Sequence, residues 1–405
     1  MILKDKDMSI FGFYILLFIA SQASLALKEI ISDKSFNAFL LNWDNNIISD
    51  QNTSRILSSK SRTGNPCVIE NNYIPSTIEK YWMSHIESIS ILTLQKSDLK
   101  DWTTGCSVSK LFLSDISNVW LHYWNQRERM AKFPSENKNM INPGNFKSLV
   151  LKKDLNLFSE FQIKYSCANS NKSSVYKIPI EPLFGALRHP LLCGPDGRID
   201  LKYVLDKDYM LPLFKHEIIP PLTPGFSKSI LFDLGASLYT SGFGGASQSW
   251  FVDTYSNRGI IFDRILAWEA ILHDPKVIFN EFPEYALGVI SYFNIPATTD
   301  RKSIQNPLNM LKHLCKESDF VVFKIDIDHN AVEMEFIHQI LENDGISSLI
   351  DELYFEHHVS ASPMMAHGWA AEGTFENNSR FYNITESYQL FTDLRNKGIR
   401  AHSWV

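Results

Sequence analysis

The feature that most constrains the fold is an alternation of short apolar runs with helical patterns in the second half of the chain. The runs Ser229–Leu234, Phe320–Ile327 and Leu349–Phe355 are largely apolar and lack the strict polar alternation of a half-exposed strand. Such runs are typical of strands that are buried on both faces of a sheet. Because helical patterns separate them, we expect a largely parallel sheet that is covered by helices on both faces.

Further strands and helices fill the intervals between these runs. Val332–Asn343 shows the clearest helical pattern, with an apolar stripe along one face. Asn306 followed by Pro307 is typical of a helix start, and Gly398 of a helix end. The remaining strands are expected at Ile260–Trp268, Gly288–Ile295 and Ile399–Val405, and the helices at Ala246–Arg258, Asn306–Lys316, Val332–Asn343 and Tyr388–Asn396.

The chain before this region has a different character. Short apolar stretches mix there with segments rich in Asn, Ser and Lys, and the Pro-rich tract Pro220–Gly225 is a candidate linker. The triplet Arg188-His189-Pro190 predicts a solvated turn. We therefore expect an α+β N-terminal region of unknown role over residues 27–222, followed by an α/β domain over residues 223–405. The expected sheet of that second domain is Rossmann-like and mostly parallel, with helices on its flanks.

The first 26 residues predict a signal peptide. Lys4 and Lys6 precede the apolar run Ile10–Ala20, and small residues then offer cleavage after Ala23 or Ala26. The alternative is an uncleaved signal anchor, which needs the apolar span to extend further. Both interpretations place the protein in the secretory pathway, either lumenal or secreted, or held in the membrane by a single span.

Sequons and cysteines agree with secretory entry. The N-x-S/T sequons, which make the chain a candidate glycoprotein, lie at Asn52, Asn171, Asn377 and Asn383. Four of the five cysteines, Cys67, Cys106, Cys167 and Cys193, precede residue 200, where up to two disulfides are possible. Cys315 stands alone in a predicted helix. No C-x-x-C motif is present, which disfavours zinc-ribbon and thioredoxin-type chemistry.

Polar side chains follow the predicted strands at the edge where ligands bind to parallel sheets. Asp233, Gly235 and Ser237 end the first strand or follow it, and Glu269 follows the second. A carboxylate at that second position can accept hydrogen bonds from ribose hydroxyls. The later strand ends carry the residues Asp326, Asp328, Glu356, His357 and His358.

Together these residues resemble the class I S-adenosylmethionine-dependent methyltransferases, and within them the FkbM-like family. The matching segments are LFDLGAS at Leu231–Ser237, AWEA at Ala267–Ala270, KIDID with a later Glu at Lys324–Glu333, LYFEHH at Leu353–His358 and LFTDLRNKGI at Leu390–Ile399. The resemblance covers only the C-terminal half. It implies that the cofactor is S-adenosylmethionine and that the reaction is O-methylation of a carbohydrate-type or other small hydroxyl acceptor.

The resemblance also implies site residues. Asp233 and Gly235 would lie beside the methionine end of the cofactor, Ser237 would also bind the cofactor, and Glu269 would hold its ribose. Asp326 would lie near the sulfonium or the acceptor. Methyl transfer to oxygen needs a base for the hydroxyl proton, and Asp326 and His357 are the catalytic candidates, with Asp328 and His358 nearby. This interpretation predicts no metal site.

The chain departs from the family pattern at three places. The loop after Ser237 is long, and 36 residues separate Asp233 from Glu269 by subtraction of their numbers, where a simple βαβ unit has about 20. This loop could form a lid or part of the acceptor site, or it could mark a lost cofactor site. KIDID continues into His329 rather than into an acid–glycine turn. The closing hairpin of the family sheet is missing, so we expect the N-terminal region to cover the sheet edge.

Two other functions remain open. Asp326-x-Asp328 is an acid pair after a strand, which could hold Mn²⁺ or Mg²⁺ in a secretory-pathway glycosyltransferase. The altered loop also leaves room for a catalytically inactive secreted binding protein of the same fold. The net charge of −6, without a Lys/Arg run, argues against nucleic acid as a partner. The expected partner is a small-molecule or glycan substrate, and a membrane is involved only if the N-terminal segment is an uncleaved anchor.

Overall fold

A computed structural model describes the parts of the chain that carry the two sheets. The described residues are 55–60, 66–84, 86, 106, 158–167, 173–193, 199–218, 228–240, 247–359, 362, 364 and 382–404. Residues 52–405 belong to one compact unit, so residues on both sides of position 222 share it. The expected signal segment and the sequons at Asn52, Asn171 and Asn377 lie outside the described residues.

The C-terminal half contains a six-stranded, wholly parallel sheet, which confirms the expected Rossmann-like α/β fold. The strands are β5 (Ser229–Leu234), β6 (Arg264–Trp268), β7 (Ile290–Phe293), β8 (Phe320–Ile325), β9 (Glu352–Phe355) and β10 (Arg400–Ser403). Their order in the sheet is β7-β6-β5-β8-β9-β10, so the chain runs outward to one edge and then returns to the centre to build the other half.

Burial on both faces explains why the apolar runs form the central strands. Every residue of β5 and β8 is buried, and fully burying one large apolar side chain stabilises the fold by about 1.5–3 kcal/mol. Phe232 lies between Phe323 and Trp268, with ring centroids 5.2 and 6.1 Å away. These rings fill one face of the sheet across three neighbouring strands.

Helices cover the sheet, as the sequence predicts, although several short ones were not predicted. The helices of this half are α2 (Ser247–Asn257), α3 (Pro275–Asn280), α4 (Glu284–Leu287), α5 (Pro307–Leu314), α6 (Asn330–Glu342), α7 (Asp344–Ser347) and α8 (Ile384–Asn396). Asn306 caps α5, with Pro307 in its first turn. Strand β6 begins at Arg264 rather than Ile260, because Ile260 still bonds to Tyr255 at the end of α2. Among the described residues, no helix is both long and apolar enough to cross a membrane.

The N-terminal region forms a second, antiparallel sheet. Its strands β1 (Arg55–Lys60), β2 (Pro66–Ile74), β3 (Ser159–Cys167) and β4 (Ser173–Ile180) pair in sequence order. Helix α1 (Thr77–Ser84) follows β2. The described part of this region therefore contains both strand and helix, as expected.

The N-terminal region also covers the edge strand β10, which confirms a prediction made from the sequence. Tyr209 donates its hydroxyl hydrogen bond to the backbone carbonyl of Ser403, and Arg188 Nη1 donates to the Ser403 hydroxyl at 2.5 Å. The expected solvated turn at Arg188 and His189 is wrong, because both side chains are buried. They are covered because this segment packs against the parallel sheet.

Buried charges join the two sheets. Arg395 on α8 lies 3.7 Å from the Glu79 carboxylate and 3.4 Å from that of Glu181, and it donates to the Tyr73 hydroxyl at 2.8 Å. All four side chains are buried. Breaking such a pair by removing one partner typically costs about 3–5 kcal/mol. The N-terminal sheet and the last helix are therefore fixed to each other by groups that cannot be exchanged for water.

A second buried network crosses the edge of the parallel sheet. His402 on β10 lies between two carboxylates, 2.7 Å from Glu181 and 3.2 Å from Glu352. Arg400 contacts Glu352 at 3.0 Å and donates to the Leu211 carbonyl at 2.6 Å. Burial would raise the pKa of Glu352, but the hydrogen bond from His402 and the charge of Arg400 lower it to about 2. The carboxylate therefore stays charged inside the protein.

One disulfide lies in the described part of the N-terminal region. It joins Cys106 to Cys193, and Cys315 is a free, buried thiol just after α5. Positions 67 and 167 lie directly opposite each other in the β2–β3 register.

The sequon residue Asn383 has a structural role that generates a prediction. Its side chain accepts from the Glu386 backbone N–H, and the Glu386 side chain accepts from the Asn383 backbone, which completes a capping box on α8. We expect Asn383→Ala to lower the free energy of unfolding by about 1 kcal/mol in chemical denaturation, because the cap is lost. Asn383→Asp removes the glycan acceptor but keeps the cap, so its stability should match the wild type. Equal losses in both variants would contradict the capping role.

Candidate functional site

The carboxyl ends of β5 and β8 meet where the strand order reverses. In open parallel sheets the crevice at this point is the usual place for a ligand. Gly235 follows β5 with a φ of +79°, and a Cβ atom there would lie 1.6 Å from the Asp326 carbonyl oxygen. The glycine is therefore required by the close approach of the chain after β8, whether or not a ligand is bound.

A buried lysine joins the two central strands at this crevice. Lys324 Nζ lies 3.1 Å from Asp233 Oδ1 on β5 and 3.1 Å from Asp326 Oδ2 after β8. It also donates to the Gly235 carbonyl at 2.8 Å. Asp233 is completely buried, so its carboxylate holds Lys324 instead of facing the crevice. The sequence predicted that Asp233 lies beside the cofactor. In the structure Asp233 is buried beneath the crevice, where it supports Lys324.

Asp326 is the more accessible partner of that lysine. Its side chain is 21% exposed, and Oδ2 accepts a hydrogen bond from Trp404 Nε1 at 3.0 Å. Burial raises the pKa of Asp326 well above its ordinary range, Lys324 opposes this rise, and the neighbouring Glu356 carboxylate adds to it. The group at the mouth of the crevice is thus a carboxyl whose proton affinity is increased.

Glu269 lies at the end of β6, as predicted, and organises the loop after β5. Oε2 accepts from the Ser237 backbone N–H at 2.8 Å, and Oε1 accepts from the Ile271 N–H at 2.7 Å. The Ser237 carbonyl in turn accepts from the Tyr292 hydroxyl at 2.7 Å. Ser237 has a positive φ of 51°, so these bonds hold a strained turn beside the carboxylate. Positions 241–246 of the long loop lie outside the described residues.

A second group of polar side chains lies at the ends of β8 and β9. One ligand atom from each of Asp328, Glu356 and His358 lies within 4.8 Å of the others, an arrangement that could hold a metal ion. Burial alone would lower the pKa of His358, but Glu356, 3.0 Å away, raises it to about 9. Glu333 on α6 is fully buried beside them, and burial raises its pKa to about 7.

His357, a catalytic candidate from the sequence, lies apart from this group. Its Nδ1 atom is 3.0 Å from the Ser387 hydroxyl on α8, and its ring lies 5.0 Å from that of Tyr382. Burial, together with the charges of His358 and Arg188, lowers the pKa of His357 to about 3. The imidazole is thus a neutral, buried group that packs against α8.

Three residues of the site were not singled out from the sequence. Lys324 and Glu333 lie within the segment that was used for the family resemblance, and their roles depend on burial that the sequence does not display. Trp404 lies in the expected last strand, yet only the fold brings it to Asp326. A lysine inside an otherwise apolar strand is the one signal that could have indicated a buried ion pair.

Comparison with models of known protein families, with curated proteins and with solved structures found no match to this chain.

The glycine at the crevice provides a matched pair of variants. We expect Gly235→Ala to lower the free energy of unfolding by about 3 kcal/mol or more, because overpacking costs about 1–3 and a left-handed alanine about 1–2 kcal/mol. Gly288→Ala is the control, since its φ is −72° and no atom lies within 4 Å of the added methyl. Chemical denaturation of both variants checks this, and similar stabilities would show that β5 and β8 do not meet as described.

The buried lysine can be tested by charge removal and rescue. Lys324→Met leaves Asp233 and Asp326 without their cation, so we expect the free energy of unfolding to fall by about 3–5 kcal/mol. Adding Asp233→Asn should recover part of that loss, because one stranded charge is removed. The exposed Lys302→Met is the control and should stay near wild type. A loss below about 1 kcal/mol in Lys324→Met would contradict a structural ion pair.

Proposed function

We propose that the C-terminal half binds S-adenosylmethionine and transfers its methyl group to a hydroxyl oxygen of a carbohydrate-type or other small acceptor. The observation that carries this proposal is Glu269 at the end of β6, beside the crevice where the strand order reverses. Each Glu269 oxygen accepts one backbone N–H, and a carboxylate oxygen can accept a second bond. Glu269 therefore retains capacity for the two hydroxyls of a ribose.

The loop after β5 favours this cofactor over a dinucleotide. A dinucleotide fold places a second and a third glycine after the first, so that the pyrophosphate can approach the backbone. Here Gly235 is followed by Ala236 and Ser237, and no glycine occurs before position 242. A nucleoside without a pyrophosphate fits such a loop better, and the family resemblance supports the same choice.

Asp326 is the residue that we assign as the base. Bound S-adenosylmethionine supplies an electrophilic methyl group, and the protein must hold the acceptor in line and accept its proton. Asp326 lies at the crevice, is partly exposed, and has a raised pKa, which brings its proton affinity closer to the working range of a general base. Trp404 and Lys324 hold its carboxylate in place. His357 is less suited to this role, because it is buried against α8.

The glycosyltransferase alternative depends on Asp326 and Asp328 sharing a metal ion. In the structure Asp326 already contacts the Lys324 cation at 3.1 Å, which disfavours a second cation on the same carboxylate. The inactive binding protein remains the other alternative, because the long loop after Ser237 departs from the family pattern.

Ligand-dependent thermal stability separates the three functions, since a ligand that binds only the folded state raises its stability. We expect S-adenosylmethionine and its demethylated product to raise the melting temperature of the full chain, with no divalent metal added. Stabilisation by a nucleotide sugar with Mn²⁺, beyond that from Mn²⁺ alone, would instead support a glycosyltransferase. No shift with either ligand would support the binding protein.

The ribose-binding role of Glu269 gives a specific prediction. We expect Glu269→Gln to weaken binding of the demethylated cofactor by about tenfold or more in calorimetry, because hydrogen bonds to a charged group contribute about 1.5–3 kcal/mol and 1.4 kcal/mol is tenfold. Glu284→Gln, an exposed acid on α4, is the control and should bind as the wild type does. Unchanged affinity in Glu269→Gln would remove this residue from the site.

A further inference from the structure

We propose that Asp328, Glu356 and His358, with Glu333 behind them, form a binding site for a divalent cation of the Mn²⁺ type. The site lies at the ends of β8 and β9, next to the crevice, and its Glu356 also contacts Asp326. The sequence analysis placed Asp328, Glu356 and His358 at one sheet edge, but it neither singled out Glu333 nor predicted a metal site there.

The first three residues have suitable geometry. One ligand atom from each lies within 4.8 Å of the other two, which is close enough for the three side chains to hold one metal ion between them. Glu356 and His358 are buried, whereas Asp328 is exposed. Glu356 and His358 are two residues apart, so their side chains point to the same side of the extended chain after β9. The exposed Asp328 leaves one side of the site open to solvent.

Glu333 provides an independent observation that points to a ligand. Its side chain is fully buried, and one oxygen accepts from the Ile327 backbone N–H at 2.7 Å. The other oxygen has no hydrogen-bond partner. The carboxylate interacts electrostatically with His358, Glu356 and Asp328. A buried carboxylate with an unsatisfied oxygen is costly, and a divalent cation in the adjacent group would offset that cost.

The donor set selects the kind of cation. The three direct candidates offer two carboxylates and one imidazole, which gives up its ring proton to solvent when the ion binds, and Glu333 adds a further carboxylate nearby. Carboxylates suit Mg²⁺, Ca²⁺ and Mn²⁺, whereas an imidazole suits transition metals. The mixture therefore favours Mn²⁺ over Mg²⁺. Three protein ligands leave open coordination positions for water or a substrate oxygen.

The use of the cation rests on the proposed function. An ion beside the crevice would hold the acceptor hydroxyl through an open position and make its proton easier to remove. The acceptor oxygen would then lie between the cation and the Asp326 carboxylate. Binding of the ion itself does not depend on that role, so the two ideas can fail separately.

Electron paramagnetic resonance of Mn²⁺ tests the site directly, because free Mn²⁺ and protein-bound Mn²⁺ give different signals. The full chain is first treated with a chelator and then titrated with Mn²⁺. We expect one ion per chain, with release on renewed chelation and weaker competition by Mg²⁺. The variant Asp328→Asn changes an exposed ligand and should fold normally. We expect it to weaken binding at least about tenfold, since even outer-shell changes typically cost 10–100-fold in metal affinity.

Two further measurements keep the test decisive. Asp253→Asn alters an exposed acid on α2 and should leave Mn²⁺ binding unchanged. The thermal shift with S-adenosylmethionine is measured on Asp328→Asn, where an unchanged shift with lost Mn²⁺ binding supports a separate metal site. The proposal is overturned if the folded wild type binds no Mn²⁺ at submillimolar concentration, or if Asp328→Asn and Asp253→Asn bind it equally well.

Discussion

The arrangement of the site depends on one buried cation, Lys324, between two carboxylates at the centre of the parallel sheet. It connects β5 to β8 where the strand order reverses, and it donates to the backbone carbonyl of Gly235. Burial opposes the charge of this lysine, but Asp233 and Asp326 raise the pKa of Lys324 above its ordinary range. The two ion pairs of Lys324 therefore fix the spacing between the ends of β5 and β8. Glu269, Asp326 and the group of Asp328, Glu356 and His358 lie around those strand ends.

The N-terminal region is part of the same structure rather than an appendage. Tyr209 and Arg188 of this region hydrogen-bond to the edge strand β10. Its Glu79 carboxylate pairs with Arg395 on the last helix, and its Glu181 carboxylate pairs with His402 on the last strand. A sheet edge left open would present unpaired backbone groups for association with other chains. Buried polar networks tolerate few alternative arrangements, because any shift leaves a charge unpaired. The resulting contact fixes one orientation of the two sheets.

The sequence predicted the parallel sheet because its central strands are apolar on both faces, as β5 and β8 show. It placed Glu269 and Asp326 correctly at strand ends, since the order of elements alone brings those ends together. It named His357 rather than His358 as a catalytic candidate, although neighbouring residues on an extended chain point to opposite sides and the register of β9 is set by its neighbours. Glu333 and the four-stranded N-terminal sheet were missed for a related reason. Their partners are distant in sequence, and no local pattern records them.

The contacts that unite the two sheets also have a consequence for the order of folding. Arg395 and Tyr73 are 322 residues apart in the chain, and Asn71 bonds to the Gly398 carbonyl across 327 residues. During synthesis the antiparallel sheet and helix α1 emerge first, and Glu79 on α1 and Glu181 after β4 then lack their cations. Long-range closure of this kind slows folding, and exposed strand edges favour aggregation while it is incomplete. The buried acids of the N-terminal region are therefore paired only after α8 and β10 have been synthesised and have packed against it.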